Sequence, residues 1–158
     1  MSENARGGIF ERYFLTPVKT QLTQGVTPKK IALSCALGLT LGIFPILGST
    51  TLLCLIAGLL FKLNQPILQA LNYFIYPVQI VLFPVFVRAG EKLFHAQPIT
   101  FVPAALAREF MRGPAPFMSK YGMAGLHGIA VWTLIAPLLI TAVYFPATFS
   151  FQKMKHRI

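Results

Sequence analysis

The stretch "GIFPILGSTTLL", residues 42–53, decides the fold, because it interrupts an otherwise apolar run. Pro45 lacks a backbone N–H and therefore cannot continue a helix without the loss of a hydrogen bond. Gly48 permits a turn of the backbone, and three hydroxyl residues follow it. The stretch therefore predicts two helices that are broken within residues 45–51, rather than one straight helix.

The lengths of the flanking segments agree with a break at this point. At about 1.5 Å per residue, a helix over residues 31–44 would reach only about 21 Å, whereas the hydrocarbon core of a bilayer is about 30 Å thick. The apolar segment of residues 52–61 is shorter still. Thr27 and Pro28 are typical of a helix start, with Thr27 as the N-cap. We therefore expect half-length helices that meet within a membrane.

The composition is that of an integral membrane protein. The chain has 158 residues, 55% of them hydrophobic and 11% charged, a length that suits one compact unit. Its net charge of +10 owes much to the presence of only four acidic residues. The basic residues flank apolar segments and no nucleic-acid motif is present, so anionic lipid headgroups are the favoured partner rather than nucleic acid. Residues 1–30 have no signal-peptide pattern, so insertion would use the mature spans.

The remaining segments complete an all-α prediction: an integral membrane protein with re-entrant or half-length helices and amphipathic interfacial helices. Interfacial helices are expected over residues 9–22 and in "PAALAREFMR", residues 103–112. The block of residues 66–94 contains Pro77 and Pro84 and repeats an aromatic–proline pair of the first block, through either duplication or chance. We divide the chain into a cytoplasmic amphipathic segment (1–30), a broken-helix membrane core (31–94), an interfacial segment (95–123), a C-terminal transmembrane helix (124–150) and a basic tail (151–158).

A helix that restarts at Ser49 would leave N–H groups without intrahelical partners. Lipid cannot satisfy these groups, so the loop must be buried in protein or line a wet cavity. Thr50 and Thr51 add hydroxyl groups, and the helix dipole adds partial positive charge, so the site would suit a phosphate or carboxylate. The alternative is a break that is capped and binds no ligand.

The second block offers polar groups at a similar depth. Gln69, Asn72 and Tyr76 would share one helix face, with Gln79 nearby, and they could bind a ligand or hydrogen-bond neighbouring helices. Arg88 follows an apolar run and could reach an anion, pair with Glu91 three residues on, or extend to an interface. The predicted ligand-binding residues are Pro45, Gly48, Ser49, Thr50, Thr51, Asn72, Gln79 and Arg88.

Catalysis is not expected from this sequence. Its acidic residues are Glu3, Glu11, Glu91 and Glu109, and neither they nor its three histidines are paired at metal-ligand spacing. No serine lies in a G-x-S-x-G turn. Cys35 and Cys54 are expected to be small buried apolar residues. We therefore expect no enzyme, metal or cofactor.

The chain resembles a bacterial inner-membrane family, the domain of unknown function DUF2062. The resemblance rests on "IALSCALGLTLGIFPILGSTTLL" (31–53), "LNQP" (63–66) and "RAGEKLF" (88–94), and it covers about residues 25–95. The family usually has Asn-Pro followed by Thr in the second block, where this chain has Tyr76-Pro77 and Gln79. The resemblance implies a multi-pass inner-membrane protein with broken helices, and relatives fused to lipid- or glycan-modifying enzymes point toward lipid handling.

The expected function is the binding and translocation of an anionic amphiphile, such as a phospholipid or polyprenyl phosphate, at the broken-helix site. The alternative is a membrane scaffold or accessory subunit in which the breaks only pack helices. An open, polar cavity at residues 48–51 would favour transport, whereas a sealed apolar one would favour the scaffold. A homo-oligomer is expected, because a few short helices cannot easily enclose a lipid path.

Overall fold

A computed structural model describes residues 27–99 and 102–155, and within these ranges the chain is helical with no strand. The all-α prediction is therefore confirmed for this part of the chain. The helix predicted for residues 9–22 and the last residues of the basic tail lie outside it. The helices are α1 (Pro28–Gly42), α2 (Thr50–Leu60), α3 (Gln65–Leu93), α4 (Pro103–Arg112) and α5 (Pro114–Lys155).

The predicted break between α1 and α2 is confirmed. Helix α1 ends at Gly42 and α2 begins at Thr50, so residues 43–49 form a connecting loop, which we call the break loop. Thr27 is the N-cap of α1 and Pro28 its first residue, as predicted. The carbonyl of Thr27, rather than its side chain, accepts the first hydrogen bond, from the Lys30 N–H at 3.0 Å.

Helices α1 and α2 form a hairpin that packs along the first half of α3. At the base of the hairpin, Gln65 Nε2 donates to the Leu55 carbonyl at 2.9 Å. Nearer its tip, Gln69 Nε2 donates to the Thr51 carbonyl at 3.2 Å, so α2 and α3 run antiparallel. The break loop reaches the middle of α3, where Gln79 Nε2 donates to the Phe44 carbonyl at 2.8 Å.

Helices α3 and α5 are long and continuous. Pro77 and Pro84 lie inside α3 without ending it, so the second block is one helix and does not repeat the half-length pair. Helix α5 begins at Pro114, so the predicted boundary at residue 124 falls inside a helix. Gln65–Leu93 and Pro114–Met154 are long and apolar enough, by length and composition, to cross a membrane.

The core forms where α1, α3 and α5 meet. Ile31 of α1, Ile67 of α3 and Phe151 of α5 are buried in one cluster near the start of α1. At the other end, a Cβ on Gly90 would lie 2.6 Å from the carbonyl carbon of His127, so α3 and α5 approach closely there. These contacts make α3 and α5 antiparallel and place the N-terminal half of α5 beside the C-terminal half of α3.

Candidate functional site

The start of α2 follows the break loop and has no side-chain cap. Gly48 is exposed and has φ of +85°, a left-handed conformation that favours glycine. Ser49 is the N-cap residue, but its hydroxyl donates to the Ile46 carbonyl at 2.8 Å and caps no backbone N–H. The first intrahelical bond runs from the Leu53 N–H to the Ser49 carbonyl at 3.0 Å. The N–H groups of residues 50–52 therefore point from an uncapped helix start.

Helix α3 shows the contrasting arrangement. Its N-cap residue Asn64 accepts a hydrogen bond from the Ile67 N–H at 3.1 Å through the side-chain oxygen. Such a cap typically contributes about 1 kcal/mol to helix stability. The start of α2 forgoes this contribution although it carries a residue type that commonly caps.

An apolar cavity of about 650 Å³ lies beside the break loop. Helix α1 ends at Gly42, whereas α3 and α5 continue past the tip of the hairpin, and no further helix of the described residues fills the space between them. Its lining comprises Pro45, Ile46, Leu47, Phe83, Val87, Leu106, Phe117, Met118, Ser119, Tyr121, Gly122, Met123, Ala124, Gly125, Leu126 and Ile129.

The chemistry of this lining suits a hydrocarbon chain. Among the described residues, no charged side chain lines the cavity, and the side-chain polar groups in its wall are the hydroxyls of Ser119 and Tyr121. The cavity is open to the surroundings rather than sealed. Leu47 lines it, and Gly48 is the next residue, so the loop that borders the apolar space also leads into α2.

Asn72 is brought to the first turn of α2, as the prediction of a shared site requires. Its Nδ2 lies 3.4 Å from both Thr51 Oγ1 and Gln69 Oε1. Gln69 must direct Nε2 at the Thr51 carbonyl, because a carbonyl can only accept a hydrogen bond. This leaves Gln69 Oε1 for the Asn72 amide and leaves the buried Asn72 Oδ1 without a partner among the described residues.

Gln79 has a similar arrangement about two turns further along α3. Its Nε2 donates to the Phe44 carbonyl, while its fully buried Oε1 has no partner in the described part of the chain. An unpaired buried acceptor costs about 1–3 kcal/mol. The free atoms of both amides are acceptors, which attract a hydrogen-bond donor and repel an anion. Their contacts with Thr51 and Phe44 support a role in holding the break loop against α3.

Arg88 lies at a different level of α3 from the start of α2. Arg88 Nη1 pairs with Glu91 Oε2 at 3.0 Å, which is one of the three alternatives that the sequence left open for this side chain. Glu91 is buried, and its other oxygen accepts from the Ile99 N–H at 2.8 Å. Sixteen residues of helix separate Arg88 from Asn72, which corresponds to about 24 Å along the axis. The structure therefore does not bring Arg88 to Thr51, which contacts Asn72.

Positive charge does lie beside the cavity, where α4 meets α5. Lys120 Nζ hydrogen-bonds Glu109 Oε1 at 2.8 Å and lies 5.3 Å from the ring centre of Tyr121, which lines the cavity. The hydrogen bond from Lys120, with Arg112 nearby, lowers the pKa of Glu109. Lys120 and Arg112 carry two positive charges and Glu109 one negative charge, so this corner has a net positive charge. The described residues contain no group of His, Cys, Asp and Glu side chains that could hold a metal ion.

The sequence did not predict the α4 and α5 residues that line the cavity. Their most distinctive feature is "YGMAGLHG", residues 121–128, in which a glycine recurs at every third position within α5. Glycine is unfavourable inside a helix, so its repetition was a signal of either close packing or open space. Only the packing of α3, α4 and the break loop around α5 distinguishes between the two.

The described residues thus define an all-helical protein with two long apolar helices and a hairpin of half-length helices. Residues 11–157 match the model of a family described as an uncharacterized protein conserved in bacteria, DUF2062, and the chain belongs to this family. Comparisons with curated proteins and with solved structures give no match.

Proposed function

We propose that this is a multi-pass protein of the bacterial inner membrane that binds an anionic amphiphile at the break loop and moves it between the leaflets. The observation that carries the proposal is that the break loop lines the apolar cavity with Pro45, Ile46 and Leu47 and leads, three residues later, into the uncapped start of α2. The apolar cavity matches the hydrocarbon part of an amphiphile, and the uncapped helix start matches its anionic group. The proposal involves no catalytic step and no cofactor, and it allows a homo-oligomer that completes the lipid path.

The distribution of apolar side chains supports a membrane location. Leu60 is 72% exposed, and Leu134 and Leu138 on α5 are 71% and 70% exposed. Soluble monomers rarely expose continuous apolar surface on this scale. In the proposal, α3 and α5 cross the bilayer, α1 and α2 form a re-entrant hairpin, and α4 lies at the interface.

The anionic group would bind at the start of α2. The N–H groups of residues 50–52 carry the partial positive charge of the helix dipole, and Gly48 presents no side chain to a ligand. Low dielectric strengthens this attraction inside a membrane. The hydrocarbon chain would lie in the cavity next to Leu47, and the basic corner at Lys120 and Arg112 would attract the anion to the mouth.

The substitution Ser49→Asp tests this arrangement. An aspartate at the N-cap would bind the free N–H groups with its own carboxylate, which stabilises α2 and competes with an external anion. We expect the variant to fold as well as the parent and to lose most retention of anionic lipid in native mass spectrometry, and most lipid movement in liposomes. The matched control is Thr27→Asp, the same charge at the start of α1, which should retain both activities.

Gly48→Val provides a second test, because its side chain would block a close approach and strain a backbone with positive φ. The proposal fails if Ser49→Asp and Gly48→Val both match the parent for every anionic lipid tried.

One observation favours the scaffold alternative. Asn72, Gln79 and Arg88 all make contacts within the chain, as expected of residues that only pack or orient helices. A scaffold would leave lipid movement unchanged in every break-loop variant. Substitution of exposed residues on α2, such as Leu59→Ser, would instead release a co-purifying membrane enzyme.

A further inference from the structure

Among the described residues, glycines inside the long helices differ in what a side chain at each position would meet. A Cβ on Gly38 would lie 2.8 Å from the Leu68 carbonyl oxygen, and one on Gly90 would lie 2.6 Å from the His127 carbonyl. These glycines are required by the packing of helices. In α5 the situation is reversed: a Cβ on Gly125 would meet nothing within 4 Å, and one on Gly122 only the terminal methyl of Met118 at 3.6 Å.

Neither the backbone conformation nor helix packing explains Gly122 and Gly125. Both lie inside α5, and neither has the positive φ that requires glycine. Glycine is among the least favourable residues of a helix interior, so alanine at either position would stabilise the helix. Both residues line the apolar cavity. What they contribute is therefore space within the cavity wall.

The size of that space limits what can fill it. A methylene group has about the volume of a water molecule in the liquid, about 30 Å³, so 650 Å³ would hold about twenty carbon atoms. This corresponds to one long hydrocarbon chain and not to the two chains of an ordinary phospholipid. Met118, Met123 and the aromatic residues of the lining can adjust to a flexible or branched chain.

We propose that Gly122 and Gly125 determine the specificity of the site by keeping open a cavity for a single hydrocarbon chain, so that the ligand is a single-chain anionic amphiphile. This inference rests on the proposed function, which it deepens by naming the class of substrate. The chain lies against the two glycines, and its anionic end points toward the break loop and the basic corner.

The experiment measures which chain lengths the full-length protein retains. The protein is placed in phosphatidylcholine nanodiscs that contain an equimolar series of monoalkyl phosphates, from decyl to octadecyl, together with two-chain phosphatidylglycerol. Retained ligands are identified by native mass spectrometry. We expect the parent to retain the longer monoalkyl phosphates in preference to phosphatidylglycerol.

Gly125→Leu should shift this preference toward shorter chains. Retention of the longest chains should fall at least about tenfold relative to the shortest, since two fewer buried methylene groups account for that factor. The control is Ala142→Leu, which adds a leucine at an exposed position of the same helix outside the cavity lining and should leave the profile unchanged. Gly125→Ala should raise the melting temperature of the ligand-free protein and reduce retention of only the longest chains.

Three results would overturn the inference. If Gly122→Leu and Gly125→Leu keep the chain-length profile of a parent that binds anionic amphiphiles, the glycines do not determine specificity, while the proposed function stands. If Gly125→Ala lowers the melting temperature, the glycine serves packing. If phosphatidylglycerol is retained as well as the monoalkyl phosphates, the ligand is not restricted to one chain. A parent that retains no anionic amphiphile of any length would instead refute the proposed function itself.

Discussion

Ser49 illustrates how a single residue type can have two opposite consequences at a helix start. A serine N-cap usually accepts a hydrogen bond from an N–H group of the first turn. Here the hydroxyl rotates to donate to the Ile46 carbonyl, which closes the turn before α2 and leaves the first N–H groups free. The residue therefore stabilises the break loop, and the helix that follows begins without a side-chain cap.

Gly90 and Gly125 allow a direct comparison of a packing glycine with a cavity glycine. Gly90→Ala would place a Cβ against the backbone of His127, which cannot move unless α3 and α5 separate. We expect Gly90→Ala to destabilise the protein by about 1–3 kcal/mol, the usual cost of overpacking. Gly125→Ala should stabilise it by about 0.5–1 kcal/mol, because a helix-interior glycine is removed without a clash.

The measurement is thermal unfolding followed by the fluorescence of Trp132, the single tryptophan of the chain. Trp132 reports on the core, since its Nε1 donates to the Thr40 carbonyl at 3.1 Å and its ring packs edge-on against Phe44. Equal melting temperatures for the two variants would contradict the division of the glycines into two groups.

At the scale of elements, the prolines of α1, α3 and the break loop show why a proline alone does not end a helix. Pro77 and Pro84 each remove one intrahelical hydrogen bond, yet α3 continues through both. Pro45 is followed three residues later by Gly48, whose left-handed backbone lets the chain reverse. No glycine follows Pro77 or Pro84 at that distance, and α3 remains packed against α1 and α5.

The attachment of α4 to α5 should depend on pH. Lys120 lowers the pKa of Glu109 from its ordinary value of 4.5, so the ionised carboxylate is favoured in the folded protein. The stabilisation from this pair is present above that value and is lost as the pH falls through the lower pKa of the folded state. We expect the protection of α4 against hydrogen exchange, relative to the intrinsic exchange rate at each pH, to fall below about pH 4.5, while the protection of α3 stays unchanged.

Glu109→Gln should reduce the protection of α4 against hydrogen exchange already at neutral pH. Acidification should not reduce that protection further. The aromatic contact of Phe110 with Phe117, whose ring centres lie 5.4 Å apart, remains in this variant and should keep α4 helical. An α4 whose exchange is the same in parent and variant at every pH would show that the ion pair does not hold it.

At the scale of the whole molecule, the cavity results from the difference in length between the hairpin helices and the two long helices. Within residues 27–99 and 102–155, two half-length helices beside two long ones leave the far half of the α3–α5 interface without a third long helix. The break loop and Leu106 of α4 border the resulting space but do not fill it. The arrangement gives a small protein a large apolar cavity without a long chain.

This architecture predicts a specific topology for cysteine labelling. In a background with Cys35 and Cys54 replaced by serine, single cysteines would be placed at Lys29, Lys62 and Gln97. Lys29 lies in the first turn of α1 and Lys62 just after the end of α2, so both should react with a membrane-impermeant reagent from the same side. Gln97 lies beyond α3 and should react from the opposite side. Labelling of Lys29 and Lys62 from opposite sides would refute a re-entrant hairpin.

The same labelling tests the segment of residues 96–120. Prolines and charges at this density would leave polar groups unsatisfied in lipid, so the segment should not cross the membrane. Cysteines at Gln97 and Lys120 should therefore react from one side, and Lys153 at the far end of α5 from the other. Reaction of Gln97 and Lys120 from opposite faces would contradict this expectation.

The sequence by itself determined the features that depend on a few neighbouring residues. Pro45 and Gly48 located the break, Thr27 and Pro28 the start of α1, and "PAALAREFMR" the bounds of α4. The pairing of Arg88 with Glu91 was equally local, since three residues of helix place them side by side. Missing backbone donors, turn-forming residues and helical spacing act over one or two turns, so a local pattern is sufficient to predict them.

Only the tertiary structure decided which distant groups meet. It joined Asn72 to Thr51 and Gln79 to the Phe44 carbonyl, and it placed Arg88 about 24 Å along α3 from Asn72. It also turned Gly125 toward open space and Gly90 toward a neighbouring backbone, although both are glycines within long helices. These outcomes depend on where helices stop relative to one another, and that is set by packing between segments far apart in the chain.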